Sequence, residues 1–319
     1  MLVTMPDDFY DFWQFCHSRS PSNPTIANSV GKSEKLALFG ESLEVAGVQL
    51  VGAFDVLAGR LEDTSTRQPW TADDYLVYAR YPQDPPEVQA VISTDVGCHV
   101  GYWRDDPSSS PLVCTVTNDE HFAKIRIVGD NLFAAVLSIW SDIVKKHVKA
   151  HDSLSKLQED LRKFAEKCKC AYDLSPKSDA VKKRQRNVVA ACLHGAGIVV
   201  PVADDVGYRE LPETNATLRK WLTAIGTSDE EKVRDGKMEK LQEIVTYVQF
   251  ANDEADFGMG LELGHAVFNA GYAALHTVTA QLLTVAYMLL HRDAFGRILK
   301  AHLRRRQAAH EGGRDVISG

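Results

Sequence analysis

The chain has 319 residues, 45% hydrophobic and 25% charged, with 36 Lys and Arg against 43 Asp and Glu, a net charge of −7. This composition fits one large or two ordinary globular domains with a sizeable core, and its acidic balance excludes a molecule that binds nucleic acid through overall charge. No run of about 18 apolar residues occurs, so no membrane span is expected, and the acidic, aromatic start Met1 to Tyr10 lacks the basic-then-apolar order of a secretory signal, which points to an intracellular chain.

In chain order, Phe9 to Phe15 reads as a short helix with an aromatic face, followed by a Pro/Ser/Asn stretch from Ser18 to Pro24. From Val45 to Val128 short apolar runs alternate with Gly, Pro and Asp clusters; Val48 to Gly52, Tyr75 to Tyr78, Val88 to Ile92 and Leu112 to Val116 read as strands, with Tyr81 to Pro86 as a proline-rich turn. The pattern changes at Gly129-Asp130-Asn131. Asn131 is a good N-cap, and Phe133, Val136, Leu137, Trp140 and Val144 then recur at helical spacing. A second helix carries Leu154, Leu157, Leu161 and Phe164, Ser175 to Asn187 reads as a mobile polar loop, and Ile198 to Val202 as a buried run. Three further helices carry Leu241, Ile244, Val245 and Val248; then Leu275, Val278, Leu282, Val285 and Leu289; then Phe295, Ile298, Leu299 and His302. The fold class is α+β: a small β-sheet-containing N-terminal part, residues 1–128, and a mainly helical C-terminal part, residues 129–319.

The six cysteines, Cys16, Cys98, Cys114, Cys168, Cys170 and Cys192, are scattered, and the C-x-C of Cys168 and Cys170 is not a metal or redox spacing, so they read as reduced thiols. The basic runs Lys182 to Arg186 and Arg304 to Arg306 suit a solvated face or a helix C-terminus, with a weak nucleic-acid contact as the alternative. His194-Gly195-Ala196-Gly197 lacks the third glycine of a dinucleotide fingerprint, and no Walker loop, G-x-S-x-G or H-E-x-x-H occurs.

Two segments do not read as scaffold. Ala203 to Glu210 should be a surface loop placing Tyr208 and Arg209 beside the carboxylates Asp204, Asp205 and Glu210. Asn252 to Gly260 puts Asp253, Glu254 and Asp256 within four residues after a helix ending at Phe250, with Gly258 and Gly260 breaking regularity before a new apolar pattern at Leu261. Clustered carboxylates repel one another, which raises carboxylate basicity and suits a general base near neutral pH. The cluster is costly unless a cation compensates, and Arg209 is the candidate. A solvated acidic loop, a helix cap or a hard-ion site at Asp253, Glu254 and Asp256 are the alternatives.

His194 to Val202, Asp205 to Thr214, Tyr247 to Glu254 and Asp256 to Gly264 together resemble the histone PARylation factor family, as do Met5 to Trp13, Gln49 to Gly52 and Asp130 to Val136. The resemblance runs from Met5 to about Leu303; Ser29 to Val45 and Asp105 to Cys114 depart from it, and no extended basic N-terminal tail is recognised. It implies an accessory factor, not an enzyme by itself, that binds the catalytic domain of DNA-damage-activated poly(ADP-ribose) polymerases and completes a composite active site for serine ADP-ribosylation of histones. Carried over, Glu254 is the base, Tyr208, Arg209 and Asp253 lie at the polymerase interface, and Asp205 and Asp256 steer the basic acceptor. The resemblance further implies histones as partners, no cofactor on this chain, NAD on the polymerase, and a nuclear location at chromatin and DNA damage. Two other classes stay open on the residues alone: a non-catalytic interaction module, and a metal-dependent hydrolase using Asp253, Glu254 and Asp256.

Overall fold

A computed structural model describes residues 4–18, 48–62, 70–94, 97–119, 122–146, 151–168 and 172–311. Most of the Ser18 to Pro24 stretch, Ser29 to Val45 and Cys170 lie outside them. The first helix, α1 (Asp7–Ser18), opens on two acidic residues that suit a helix N-terminus and buries Phe9, Phe12, Phe15 and Cys16 along one face. Phe9 and Trp13 stack on Phe54, in the short helix α2 (Ala53–Leu57). Of the segment Tyr75 to Tyr78, expected as a strand, Tyr75 to Val77 instead close helix α3 (Ala72–Val77), and Tyr78 is its C-cap. Thr71 and Asp74 form a reciprocal capping box there, which overrides the β preference of Tyr and Val.

Five strands follow the chain as an antiparallel meander: β1 (Val48–Leu50), β2 (Val88–Thr94), β3 (Cys98–Trp103), β4 (Leu112–Asp119) and β5 (Phe122–Gly129), side by side in that order. Its register sets Val88 against Trp103, Val100 against Thr115 and Val116 against Ile125. One face, with Val91, Val100, Tyr102 and Val113, packs on α1, on α4 (Leu132–Lys146) and on α5 (His151–Lys167) through Phe12, Phe133, Trp140 and Leu161. This core therefore draws on both sides of the change in composition at 128/129. Asn131 caps α4 as its sequence suggested, its Oδ1 accepting from Ala134 N–H at 2.9 Å. Asp8 joins the layers, accepting from Leu132 N–H at 2.7 Å and Tyr102 O–H at 2.9 Å. Burial pushes its carboxyl up to about 6 against the pull of those two bonds.

The stretch Ser175 to Asn187, expected as a mobile loop, contains α6 (Asp179–Arg186), capped by Ser178. No apolar period marks it because its anchor is the buried Arg184, which donates to both oxygens of Asp105 at 2.7 and 2.8 Å and to the carbonyls of Ala196 and Gly197. The last helices are α7 (Asn215–Thr227), α8 (Glu231–Asp253), α9 (Phe257–Ala270), α10 (His276–Leu289) and α11 (Asp293–Glu311). They surround α9, buried from Gly258 to Ala270. Gly258 and Gly260 do not break it: both are helical, and a Cβ on Gly258 would lie 2.9 Å from Tyr208 and Val200, so these glycines permit close approach. The arginine run on α11 is divided. Arg304 pairs with Asp73, Arg305 donates to the Val77 carbonyl, and Arg306 is buried over the Phe268 ring. No helix among the described residues is long and apolar enough to cross a membrane.

Candidate functional site

The loop after Val200 turns tightly. Ala203 and Val206 exchange two backbone hydrogen bonds of 2.9 Å, and the residues between them, Asp204 and Asp205, both have positive φ, 51° and 62°. Two central residues of positive φ characterise the type I′ turn, where Asp is among the few side chains tolerated. Gly207, at φ 129°, has to be glycine: a Cβ would lie 2.1 Å from the Pro201 oxygen. The chain then runs back as Tyr208 and Arg209. Tyr208 is half-buried and donates its hydroxyl inward to Glu262 Oε2 at 2.9 Å. Burial raises both groups above their usual ranges, the tyrosine aided by the adjacent carboxylate.

The second segment is a helix-to-helix turn. Helix α8 runs to Asp253, not to Phe250 as expected, and Glu254 is its C-cap. Ala255 has φ 65° and its N–H meets the Asn252 carbonyl at 3.1 Å, while Asp256 N–H meets that of Ala251 at 2.8 Å. These two bonds and the left-handed residue make a Schellman motif with alanine where glycine is usual. The chain reversal sets Glu254 and Asp256 toward one guanidinium: Arg209 Nη2 bonds Glu254 Oε2 and lies 2.9 Å from Asp256 Oδ2. The compensating cation expected from sequence is therefore Arg209, 45 residues away. The Glu254 side chain is 61% exposed and that of Asp256 9%. Asp205 and Asp253 are exposed beside them. The same two segments carry exposed apolar side chains, Val202 and Val206 on the loop and Tyr247 and Phe250 near the end of α8. Since Arg209 joins Glu254 to Asp256, the three acids do not converge on a cation-sized site; among the described residues no group of three His, Cys, Asp or Glu is arranged to hold a metal ion.

Beneath the loop lies a chain of buried polar groups that sequence reading missed. Ala196 N–H donates to His194 Nδ1 at 3.1 Å, so the His194 proton sits on Nε2, 3.0 Å from His265 Nδ1. The His265 proton is then on Nε2, 3.0 Å from Glu87 Oε1, which also accepts from the Tyr287 hydroxyl at 3.0 Å. Burial holds His194 well below the usual histidine range, in keeping with this neutral tautomer. The chain ties the turn before β2 to α9 and to the root of the loop. Its one sequence signal is polar residues, Glu262, His265 and Asn269, inside the otherwise apolar α9.

The family description Histone PARylation factor 1 matches residues 1–306. The chain is 40% identical over 306 residues to Histone PARylation factor 1 of Danio rerio, covering 94% of this chain and 82% of that protein. It is 38% identical over 308 residues to the Mus musculus protein of that name, covering 94% and 83%, and 38% identical over 309 residues to that of Bos taurus, covering 95% and 84%. With a family match over residues 1–306 and this identity over most of each relative, the chain belongs to the histone PARylation factor family.

Proposed function

We propose that this protein is an accessory factor in histone ADP-ribosylation. It docks on the catalytic domain of a DNA-damage-activated poly(ADP-ribose) polymerase at chromatin, and Glu254 serves there as general base for serine acceptors. The observation that carries the reading is a carboxylate standing mostly in solvent at a helix cap, paired with the half-exposed Arg209, with exposed apolar side chains on the same two segments, Val202 and Val206 on the loop and Tyr247 and Phe250 near the end of α8. Arginine and aromatic side chains of this kind are the usual anchors of a protein interface.

A serine hydroxyl is a poor nucleophile unless an adjacent base removes its proton, whereas an acidic acceptor is already ionised. In this reading the serine Oγ proton passes to a Glu254 oxygen as Oγ bonds to the ribose carbon of NAD held by the polymerase, and the nicotinamide bond to that carbon breaks. Asp205 and Asp253, both exposed, attract the basic histone tail. The test is an assay of polymerase catalytic domain, NAD and histone peptide with and without this protein. Hydroxylamine-resistant, serine-linked product should appear only when it is present, and an unchanged product would defeat the reading.

A further inference from the structure

Arg209 has two carboxylate partners of different character, and the difference assigns Asp256 a role. Glu254 and Arg209 side chains are 61% and 43% exposed, so their contact is open to water and salt. Asp256 is buried, and both of its oxygens are used within the chain: Oδ1 accepts from Gly207 N–H at 2.9 Å and Oδ2 faces Arg209 Nη2 at 2.9 Å. Gly207 is held from its other side as well, its carbonyl accepting from Gly258 N–H at 2.9 Å. Residue 207 is thus lashed to the start of α9 two residues before Arg209, and the guanidinium is held at the near end of the same turn.

We infer that Asp256 is the positioning residue of this site: it fixes the Arg209 guanidinium through an ion pair whose carboxylate is buried, leaving the Arg209–Glu254 contact, open on both sides, as the exchangeable one. Glu254 can then leave Arg209 to take a proton without loss of order in the loop. The role works through Arg209, since a buried carboxylate already engaged by a guanidinium and a backbone N–H has little field left to offer an acceptor peptide. This inference rests on the functional reading above for its consequence in activity, but not for the geometry it claims.

The test therefore has two arms. In the first, the protein carries 15N-labelled arginine, and the Arg209 guanidinium signals, assigned by their loss in Arg209→Ala, are followed by NMR. They should stay resolved and slowly exchanging in Glu254→Ala, where Asp256 remains, and merge with the mobile arginines in Asp256→Asn, which keeps an acceptor for Gly207 N–H but not the charge. Collapse of the signals in Glu254→Ala, or their survival in Asp256→Asn, overturns the inference, and Glu254→Ala decides it even should Asp256→Asn fold poorly. In the second arm, serine modification is titrated with each variant. Asp256→Asn should raise the half-saturating concentration about tenfold, the scale of one charge-assisted hydrogen bond, with the saturating rate kept within about twofold. The same substitution should add nothing in an Arg209→Ala background. Additive losses, or an effect on histone-peptide concentration and salt instead, overturn it in favour of an independent or steering role. Absence of any serine product with the wild-type protein defeats the functional reading alone and leaves the NMR arm to decide.

Discussion

The charged groups at the sheet and those at the helix turn are handled in opposite ways. Around the sheet they are buried and matched: Asp84 with His99, Asp8 with Tyr102 and Leu132 N–H, Glu87 with His265 and Tyr287. At the turn, Glu254 projects into solvent with the Arg209 cation at its side. Buried groups with every bond filled hold architecture together, since removing one partner strands the other in a medium that cannot solvate it. An exposed ion pair contributes little to stability. The buried groups hold the fold together, whereas Glu254, at the C-cap of α8, is presented to solvent.

The largest expected effect lies on the exposed side of that comparison. Glu254→Gln keeps the shape of the side chain but cannot take a proton. Serine modification at saturating protein should fall about 10²–10⁴-fold, with polymerase affinity within a few fold and the thermal melt unchanged. Modification of acidic residues on the polymerase should be largely spared. Full serine product from this variant would remove Glu254 from the chemistry.

On the buried side the expectation reverses. Glu87→Ala strands the His265 N–H and the Tyr287 hydroxyl, and should cost about 3–5 kcal/mol of stability by denaturant unfolding. The molecules that remain folded should support modification at the normal rate. A stable Glu87→Ala protein would mean that the chain from His194 to Glu87 is not a structural tie.

A pH experiment sharpens the same contrast at Asp8. Its folded carboxyl is raised from 3.8 to about 6, so the folded state holds this proton more tightly than the unfolded chain. The stability it contributes is complete below pH 3.8 and is lost as pH rises through about 6. Asp8→Asn should abolish that decline, gaining on the wild type between these pH values by at most about 3 kcal/mol, less the two weakened hydrogen bonds. Parallel melting curves for the two proteins from pH 4 to 7 would show that Asp8 is not the group titrating.

How legible this was in the sequence depends on how locally each feature is specified. The apolar spacing of Leu241, Ile244, Val245 and Val248 gave α8, and the short apolar runs at Val88 and Leu112, bounded by turn residues, gave β2 and β4. Tyr75 to Tyr78 misled because β-favouring side chains outweighed the capping signal of Thr71 and Asp74. Helix α6 was invisible because its buried anchor is an arginine, and Gly258 and Gly260 looked like breakers because their close neighbours, Tyr208 and Val248, lie elsewhere in the chain. At the site, charge compensation alone joined Arg209 to the acids. The inward bond of Tyr208 to Glu262, 54 residues away, and the histidine chain across 178 residues showed locally only as polar residues inside the apolar α9, with nothing to name their partners.

The smallest expected effect concerns the cap itself. Ala255→Gly removes the strain of a left-handed alanine but loosens the unfolded chain, and should stabilise the protein by roughly 0.5 kcal/mol. Serine modification should not change, because the side chain of Ala255 has no part in aiming Glu254. A slower reaction in a protein as stable or more so would show that the stiffness of the cap, and not its shape alone, serves the base.

Asn269 has a consequence of another kind. Its side-chain amide meets both the N–H and the carbonyl of Ala123, at 2.8 and 3.1 Å, and the His194 carbonyl takes the N–H of Ile125 next along β5. Strand β5 ends the sheet, and an open strand end invites pairing with another molecule. Here an amide on α9 imitates the missing neighbour at Ala123 and the His194 carbonyl continues it at Ile125, so this stretch of the sheet's border is paired within the chain. Damage to this seal should therefore appear first as clumping of the protein during expression, before any defect in chemistry is measurable.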